Sequence, residues 1–211
     1  MGIFYNTITG MESLILFLAE YSRYIVLVHA AAAAVGLGAA TVTDVFFFRF
    51  LKDFRISESE AEILSTISRI IWAALATIVV SGVALYIPQA DDLNHSPRFL
   101  VKMIAVAVLI INGILLNILI APQLEKISFR SSAGEISSTT EGLLYIRKLA
   151  FALGAISAAS WYSAFILGSF RSLEADFTTL LAAYGSALGI AVIGSQIMER
   201  WFSKKSREQR G

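Results

Sequence analysis

Residues 24–48 read YIVLVHAAAAAVGLGAATVTDVFFF, an apolar stretch that contains His29 and Asp44. A helix of about 20 residues is enough to cross a bilayer, and this stretch is longer. Ionisable side chains inside a membrane span are energetically costly and mark functional sites by default. The stretch therefore predicts the fold class and supplies the first two candidate functional residues.

The rest of the chain has the composition of a membrane protein. Hydrophobic residues make up 56% of its 211 residues, charged residues make up 16%, and the mean hydropathy is +0.70. A soluble domain carries roughly a quarter charged residues. The net charge of +1 provides no basic face for binding nucleic acid. Because the chain has no cysteine, disulfides, thiolate metal sites and iron–sulfur clusters are excluded.

Hydropathy predicts an all-α fold, a polytopic transmembrane helix bundle in which residues 1–211 form a single integral membrane domain. Residues 11–21 are apolar but too short to cross, which predicts a short N-terminal interfacial helix that runs into the first span. The N-terminus lacks a basic region and a small-residue cleavage site, so no removable signal peptide is predicted, and Met11 is an alternative start. The five predicted spans are residues 24–48, 70–87, 99–121, 149–170 and 177–198.

Small residues predict where these helices pack. Ala32, Gly36 and Ala40 follow at four-residue spacing in the first span, and Gly185 and Gly189 do so in the fifth. Small side chains let membrane helices approach closely. We therefore expect the first span to be central in the bundle. The same faces suit a homo-oligomer or a partner membrane subunit.

The distribution of Lys and Arg predicts the orientation. Of the 17 such residues, 13 lie in the connections after the first and third spans and in the C-terminal tail. Positive residues concentrate on the cytoplasmic side. The chain is therefore predicted to lie in the cytoplasmic (inner) membrane with its N-terminus outside and its C-terminus in the cytoplasm. Of the connections, residues 128–141 are predicted to be a loop, and Ser57 with Glu60 forms a capping-box pattern before the second span.

His29 is the first candidate for chemistry because it is one of only two histidines and lies in an apolar span. A neutral imidazole suits a haem or metal ligand in a low-dielectric site, and it can also relay protons. The structural alternative is a histidine that is hydrogen-bonded near the lipid headgroups.

His95 and Lys102 are expected at the same membrane level as His29. His95 would complete a six-coordinate haem or, with Asp91 and Asp92, a metal site. Lys102 lies at the start of the third span, where a lysine ordinarily snorkels towards water. If it faces the bundle instead, it becomes a candidate ligand or a contact for a haem propionate.

Asp44 belongs to a separate candidate site. It follows the histidine by 15 residues, so the two share a helix face but lie about 22 Å apart along the axis and do not touch. An ion pair with Arg69, Lys148 or another interfacial cation is the structural interpretation. The functional one is an ion or proton site formed with Asn117 and Gln196, which are expected at similar depth.

Three motifs in the first half of the chain fit together. His29 is followed by Gly36 and Gly38, and the span ends in the aromatic–Arg run FFFR at residues 46–49. The second span, ISRIIWAALATIVVSGVALYI at residues 67–87, contains a Ser-Gly step. The third span opens with Lys102-Met103.

Over residues 24–124 these motifs resemble a group that contains the CopD-like copper-resistance membrane domain and the membrane protoporphyrinogen oxidases of bacteria. In the oxidases the resemblance implies haem b as cofactor, with His29 and Lys102 tied to its site. The chain departs from the pattern where the group has a histidine midway along the third span, since Asn112 stands near that position. It also lacks methionine-rich copper motifs.

Three functions follow as hypotheses. The first is haem- or metal-linked redox or electron transfer, with His29 and Lys102 or His95 as ligands. The second is a small ion- or proton-coupled transporter that uses Asp44. The third is a non-catalytic accessory subunit, consistent with the small-residue faces. In all three hypotheses the outer surface of the helix bundle contacts the lipid bilayer.

Overall fold

Helix is the only regular secondary structure in the described part of the chain. The computed structural model describes residues 2–53, 58–120, 122, 140–170 and 175–208, with side-chain positions for residues 10, 12–46, 59–120, 122, 145–170 and 175–201. Five helices are long and apolar enough to cross a membrane. This confirms the all-α bundle of five apolar helices, and the chain is an integral membrane protein.

Four of the apolar segments begin and end within about four residues of the predicted spans, and the second, predicted at 70–87, extends over Ser59–Asn94. A 3₁₀ turn, Ile87–Gln89, follows the helix Glu58–Tyr86, and a π-helical turn, Leu116–Ile120, extends the helix Pro97–Leu115. The apolar segments are Ser22–Phe46, Ser59–Asn94, Pro97–Ile120, Tyr145–Ser169 and Phe177–Trp201. The helices are α1 (Gly2–Glu20), α2 (Ser22–Asp53), α3 (Glu58–Tyr86), the short α4 (Ala90–Asn94), α5 (Pro97–Leu115), α6 (Thr140–Ser169) and α7 (Phe177–Glu208).

The N-terminal helix is longer than predicted. It begins at Gly2 instead of near Met11, and a turn at Tyr21 separates it from α2. Once a helix is nucleated, each further residue adds a backbone hydrogen bond, so an apolar segment extends into less apolar neighbours. α1 packs against α2, α3 and the 3₁₀ turn at the end of α3.

Capping residues explain where α5 and α7 begin. The Ser96 hydroxyl accepts a hydrogen bond from the Phe99 amide at 3.4 Å, and Pro97 occupies the first turn, where its missing N–H costs nothing. Asp176 precedes α7 and accepts a hydrogen bond from the Thr179 amide at 3.1 Å. Hydrogen bonds from Thr179 hold the pKa of this exposed carboxyl below its ordinary value.

The central helix is α6, not α2 as the small residues predicted. α6 packs against α2, α5 and α7, and 28% of its apolar window is buried inside the bundle, against 11% for α2. The reason is that α2 uses its small residues on a narrow stripe against α3 and α6. The buried Ala40, Leu75, Leu109 and Trp161 form part of the core there.

The predicted small-residue contacts divide into two groups. A Cβ at Gly36 would lie 2.5 Å from the Trp161 ring, so glycine is needed there for packing. Gly185 and Gly189 on α7 have no heavy atom within 4 Å of such a Cβ, and the predicted oligomer or partner subunit remains a prediction. Ser57 of the capping box and residues 128–139 of the predicted loop lie outside the described residues.

Candidate functional site

α2 carries its two ionisable candidates to opposite ends of the bundle. His29 contacts Ser81 near the end of α3, and we name this the His29 end. Asp44 lies beside α6, where a Cβ at Gly154 would be 3.6 Å from its Oδ1, and we name this the Asp44 end. Between them the Trp161 ring covers Gly36. The sequence predicted that the two residues are too far apart to form one site, and the structure agrees.

A cavity of about 520 Å³ lies at the Asp44 end, between α2, α3, α5 and α6. Its lining is mainly aliphatic and aromatic, and the exposed Ser65 and Arg69 line it from α3. Asp44 is the acidic side chain in this lining. Pockets of 300–1,000 Å³ with apolar walls and a few polar groups are the usual form of small-molecule sites. We name this space the Asp44 cavity.

Asp44 has no hydrogen bond or ion pair with any other residue whose side chain the structure describes. Arg69 instead donates to the Ser65 hydroxyl at 3.5 Å, and no salt bridge joins Lys148 to Asp44 among the described side chains. The ion pairs with Arg69 and Lys148 are thus not formed. Taking an unpaired carboxylate out of water is costly, so a group of this kind needs either a proton or a cationic partner.

The other two residues expected beside Asp44 occupy different places. Asn117 lines the Asp44 cavity from the π-helical turn Leu116–Ile120. Such turns are rare and are found frequently at functional sites. Gln196 lies outside this lining, and its Nε2 donates to the Lys148 carbonyl at 3.1 Å, which links α7 to α6. The structure therefore brings together Asp44 and Asn117, and Gln196 has a structural contact.

Two tryptophan rings form walls of the Asp44 cavity. A Cβ at Gly36 would meet the Trp161 ring at 2.5 Å, and one at Gly113 would lie 3.4 Å from the ring of Trp72. Gly36 therefore lets the Trp161 ring approach the α2 backbone closely, whereas the distance at Gly113 is that of an ordinary van der Waals contact. Trp161 is buried and Trp72 partly buried. The rings present large apolar faces to the cavity.

At the His29 end, hydrogen bonding assigns the proton of the imidazole. The Ser81 hydroxyl donates to the Thr77 carbonyl at 2.5 Å and lies 2.8 Å from Nδ1 of His29. A hydroxyl has one proton, so Ser81 accepts from His29 and Nδ1 carries the hydrogen. In the neutral ring the lone pair is then on Nε2, the form in which histidine binds metals.

Lys102 and His95 differ in their relation to this histidine. Lys102 is only partly exposed, and a Cβ at Gly168 would lie 4.0 Å from its Nζ, so its amine lies against α6. It is also within electrostatic range of His29. His95 is exposed, and its Nδ1 bonds the carbonyl of Asp91 at 2.7 Å. The described residues contain no group of three or more His, Cys, Asp or Glu side chains that could hold a metal ion.

One buried ion pair was not anticipated from the sequence. Nε of Arg147 on α6 donates to Oε1 of Glu199 on α7 at 2.7 Å, and a second donor nitrogen of the same guanidinium contacts this oxygen. Arg147 is 4% exposed and Glu199 is 1% exposed. The only signal in the sequence is a glutamate at the end of an apolar span, which does not identify its partner.

Asn112 forms a hydrogen bond through only one side of its carboxamide. Its Nδ2 donates to the Leu153 carbonyl at 3.0 Å, while its buried Oδ1 has no hydrogen-bond partner among the described residues.

In comparisons with known proteins, no family model, curated protein or solved structure matches this chain. Its own residues therefore carry the functional assignment.

Proposed function

We propose that this integral membrane protein is a small proton-coupled transporter whose substrate site is the Asp44 cavity. One observation carries the proposal: Asp44 has no partner among the described residues, yet it lines a cavity of about 520 Å³ in the membrane-spanning part of the bundle. Ionisable residues inside a membrane mark substrate pathways and proton relays. A carboxyl that exchanges between proton and substrate couples the two by competition.

The surroundings of Asp44 support this role. Arg69 on α3 is the other charged side chain in the cavity lining, and α5 and α6 contribute Asn117, Gly154 and Ser157. The exposed Arg69 gives the cavity a polar edge, and the distribution of Lys and Arg along the chain favours a cytoplasmic location for this end. The Trp161 ring over Gly36 lies between the cavity and the His29 end.

A pH-step measurement on a solid-supported membrane tests the proposal without a known substrate. The full chain is reconstituted in phosphatidylcholine vesicles, and the current that follows a rapid pH change is recorded. We expect a transient current in the wild type and in the control Asp91→Asn, which makes the same change in the exposed α4. Asp44→Asn is expected to abolish it. Equal currents in wild type and Asp44→Asn would contradict the proposal.

A second candidate function, haem-linked electron transfer, is favoured by the hydrogen bond that directs Nε2 of His29 towards ligation. The donor set suits one axial ligand, because His95 is exposed and its Nδ1 bonds the Asp91 carbonyl, and the described residues hold no three-ligand cluster. His29 would hold the iron and Lys102 would neutralise a propionate. Haem would supply the one-electron chemistry, while Ser81 would orient the ligand and the surrounding helices would exclude water.

An absorption spectrum decides this second candidate. Protein produced with added haem is expected to show a Soret band that is lost in His29→Ala and kept in His95→Ala. A wild type without the band, or a band unchanged by His29→Ala, would rule out this assignment. The result is independent of the current measured for Asp44.

A further inference from the structure

We infer that the Asp44 cavity binds a small organic amine, a molecule with one positive charge and an apolar, preferably aromatic, body. The inference rests on the proposed function because it names the substrate class of the same site. It draws on three features of the cavity: the charge of its lining, the shape and chemistry of its walls, and the small number of ligating oxygens.

The charge of the lining favours a monocation. Asp44 is the acidic group, and no described residue provides it with a hydrogen bond or an ion pair. Arg69 is exposed, its guanidinium donates to the Ser65 hydroxyl, and it forms no ion pair with Asp44. A ligand ammonium would give Asp44 a charge-assisted hydrogen bond and offset the cost of its burial. An anionic ligand would face repulsion from Asp44.

The walls favour an apolar body on that cation. Aliphatic side chains such as Leu75, Leu109 and Ile71 line the cavity together with the rings of Trp72 and Trp161. Tryptophan is the side chain that attracts cations most strongly over its ring face, and it also stacks with aromatic ligands. The volume of about 520 Å³ accommodates a molecule of that size. Asn117 adds a carboxamide that accepts or donates a hydrogen bond.

The same lining does not suit a bare divalent cation. Ca²⁺ takes about 6–8 oxygen ligands, usually including several carboxylates, and Mg²⁺ requires near-octahedral oxygen ligands. The cavity offers one carboxylate, one carboxamide and scattered hydroxyls, and the described residues contain no cluster of acidic or histidine side chains. An ammonium needs fewer ligands, because its apolar part contacts the walls.

Three probes that share one phenyl ring test the inference. Phenethylamine is cationic, 2-phenylethanol is its neutral counterpart, and 3-phenylpropionate is anionic. Binding to the full chain in phosphatidylcholine nanodiscs is measured by calorimetry, with empty nanodiscs as the control for partition into lipid. We expect phenethylamine to bind about tenfold or more tightly than 2-phenylethanol, and 3-phenylpropionate to bind most weakly. Equal binding of amine and alcohol, or tighter binding of the carboxylate, overturns the inference.

Two matched variants locate the selectivity. Asp44→Asn is expected to reduce the affinity for phenethylamine to that for 2-phenylethanol, while Asp91→Asn in α4 keeps the wild-type preference. An unchanged amine preference in folded Asp44→Asn would also overturn the inference. The probe series on the wild type decides the question even if Asp44→Asn fails to fold.

Failure of the inference and failure of the proposed function give different results. Amine selectivity that depends on Asp44, without a pH-step current, supports the ligand class and contradicts proton-coupled transport. A pH-step current that depends on Asp44, without amine selectivity, overturns the ligand class and supports the transporter.

Discussion

Glu199 and Asp44 are both carboxylates inside apolar helices of one bundle, but their surroundings are opposite. Glu199 is 1% exposed and is held by Arg147, with 2.7 Å between Nε and Oε1. Asp44 lines a cavity and has no partner among the described residues. A buried charge that is fully paired ties two helices together, whereas an unpaired one at a cavity is available to a ligand or a proton. The comparison separates a carboxylate that is held by a partner from one that is available for binding.

Removing Arg147, the partner of Glu199, should have the largest effect on the stability of the protein. Arg147→Met leaves a buried carboxyl without its donor, so we expect a loss of about 3–5 kcal/mol in the free energy of unfolding, measured by thermal or denaturant unfolding in detergent. The double variant Arg147→Met/Glu199→Leu should recover most of that loss. If the double variant is no more stable than Arg147→Met, the pair is not a structural ion pair of this kind.

The next largest effect on stability is expected at Gly36, where the Trp161 ring lies between the Asp44 cavity and the His29 end. In Gly36→Ala the new Cβ would lie 2.5 Å from the Trp161 ring, so the ring or the helices must shift. We expect a loss of about 1–3 kcal/mol in unfolding free energy, as for other overpacked cores. Gly38→Ala is the control, because no heavy atom lies within 4 Å of its Cβ. Equal stability of the two variants would contradict the described packing.

Asp44→Asn should affect stability far less than Arg147→Met. Since the carboxylate stabilises no described partner, its loss removes no ion pair, and the change in unfolding free energy should stay within about 1 kcal/mol of zero. The same unfolding assay measures it. A loss as large as that of Arg147→Met would reveal a structural partner of Asp44 and remove the distinction between the two carboxylates.

Asp176 is a third carboxylate, which lies outside the membrane-spanning helices, and its replacement should have the smallest effect on stability. Hydrogen bonds from Thr179 lower the pKa of Asp176 from 3.8. A lowered pKa in the folded state means that the cap stabilises the protein above pH 3.8 and that this contribution is lost as the pH falls through the lower, folded value. Asp176→Ala should therefore lower the Tm slightly at neutral pH, and the difference should disappear in strong acid. A difference that persists there would mean that the charge of Asp176 is not involved.

The sequence was sufficient for the spans, because each is a long apolar run. It also placed Asp44 near Asn117 and apart from His29, since spacing along a helix and depth in the membrane depend only on residue number. It did not predict the Arg147–Glu199 pair, which depends on how α6 and α7 face each other. It placed Gln196 beside Asp44, but depth does not determine azimuth, and Gln196 faces α6.

The cavity could not be predicted from the sequence either. It lies between four helices at the Asp44 end, and two of its walls are tryptophan rings that lie against glycines of other helices. Small residues predicted close packing in general, but not which glycines would receive a ring. Gly36 receives one and Gly185 does not, although both belong to small-residue runs. Only the arrangement of the helices distinguishes them.

The π-helical turn Leu116–Ile120 has a consequence for the length of the third span. A π turn places one more residue in a helical turn than an α turn does, so it changes the direction in which all later side chains point. Deleting one residue from this turn would restore regular α-helix and rotate Asn117 or Ile120 away from its present neighbours. The span therefore tolerates substitutions at this turn better than a change in length, and a homologue one residue shorter here would have a differently lined cavity.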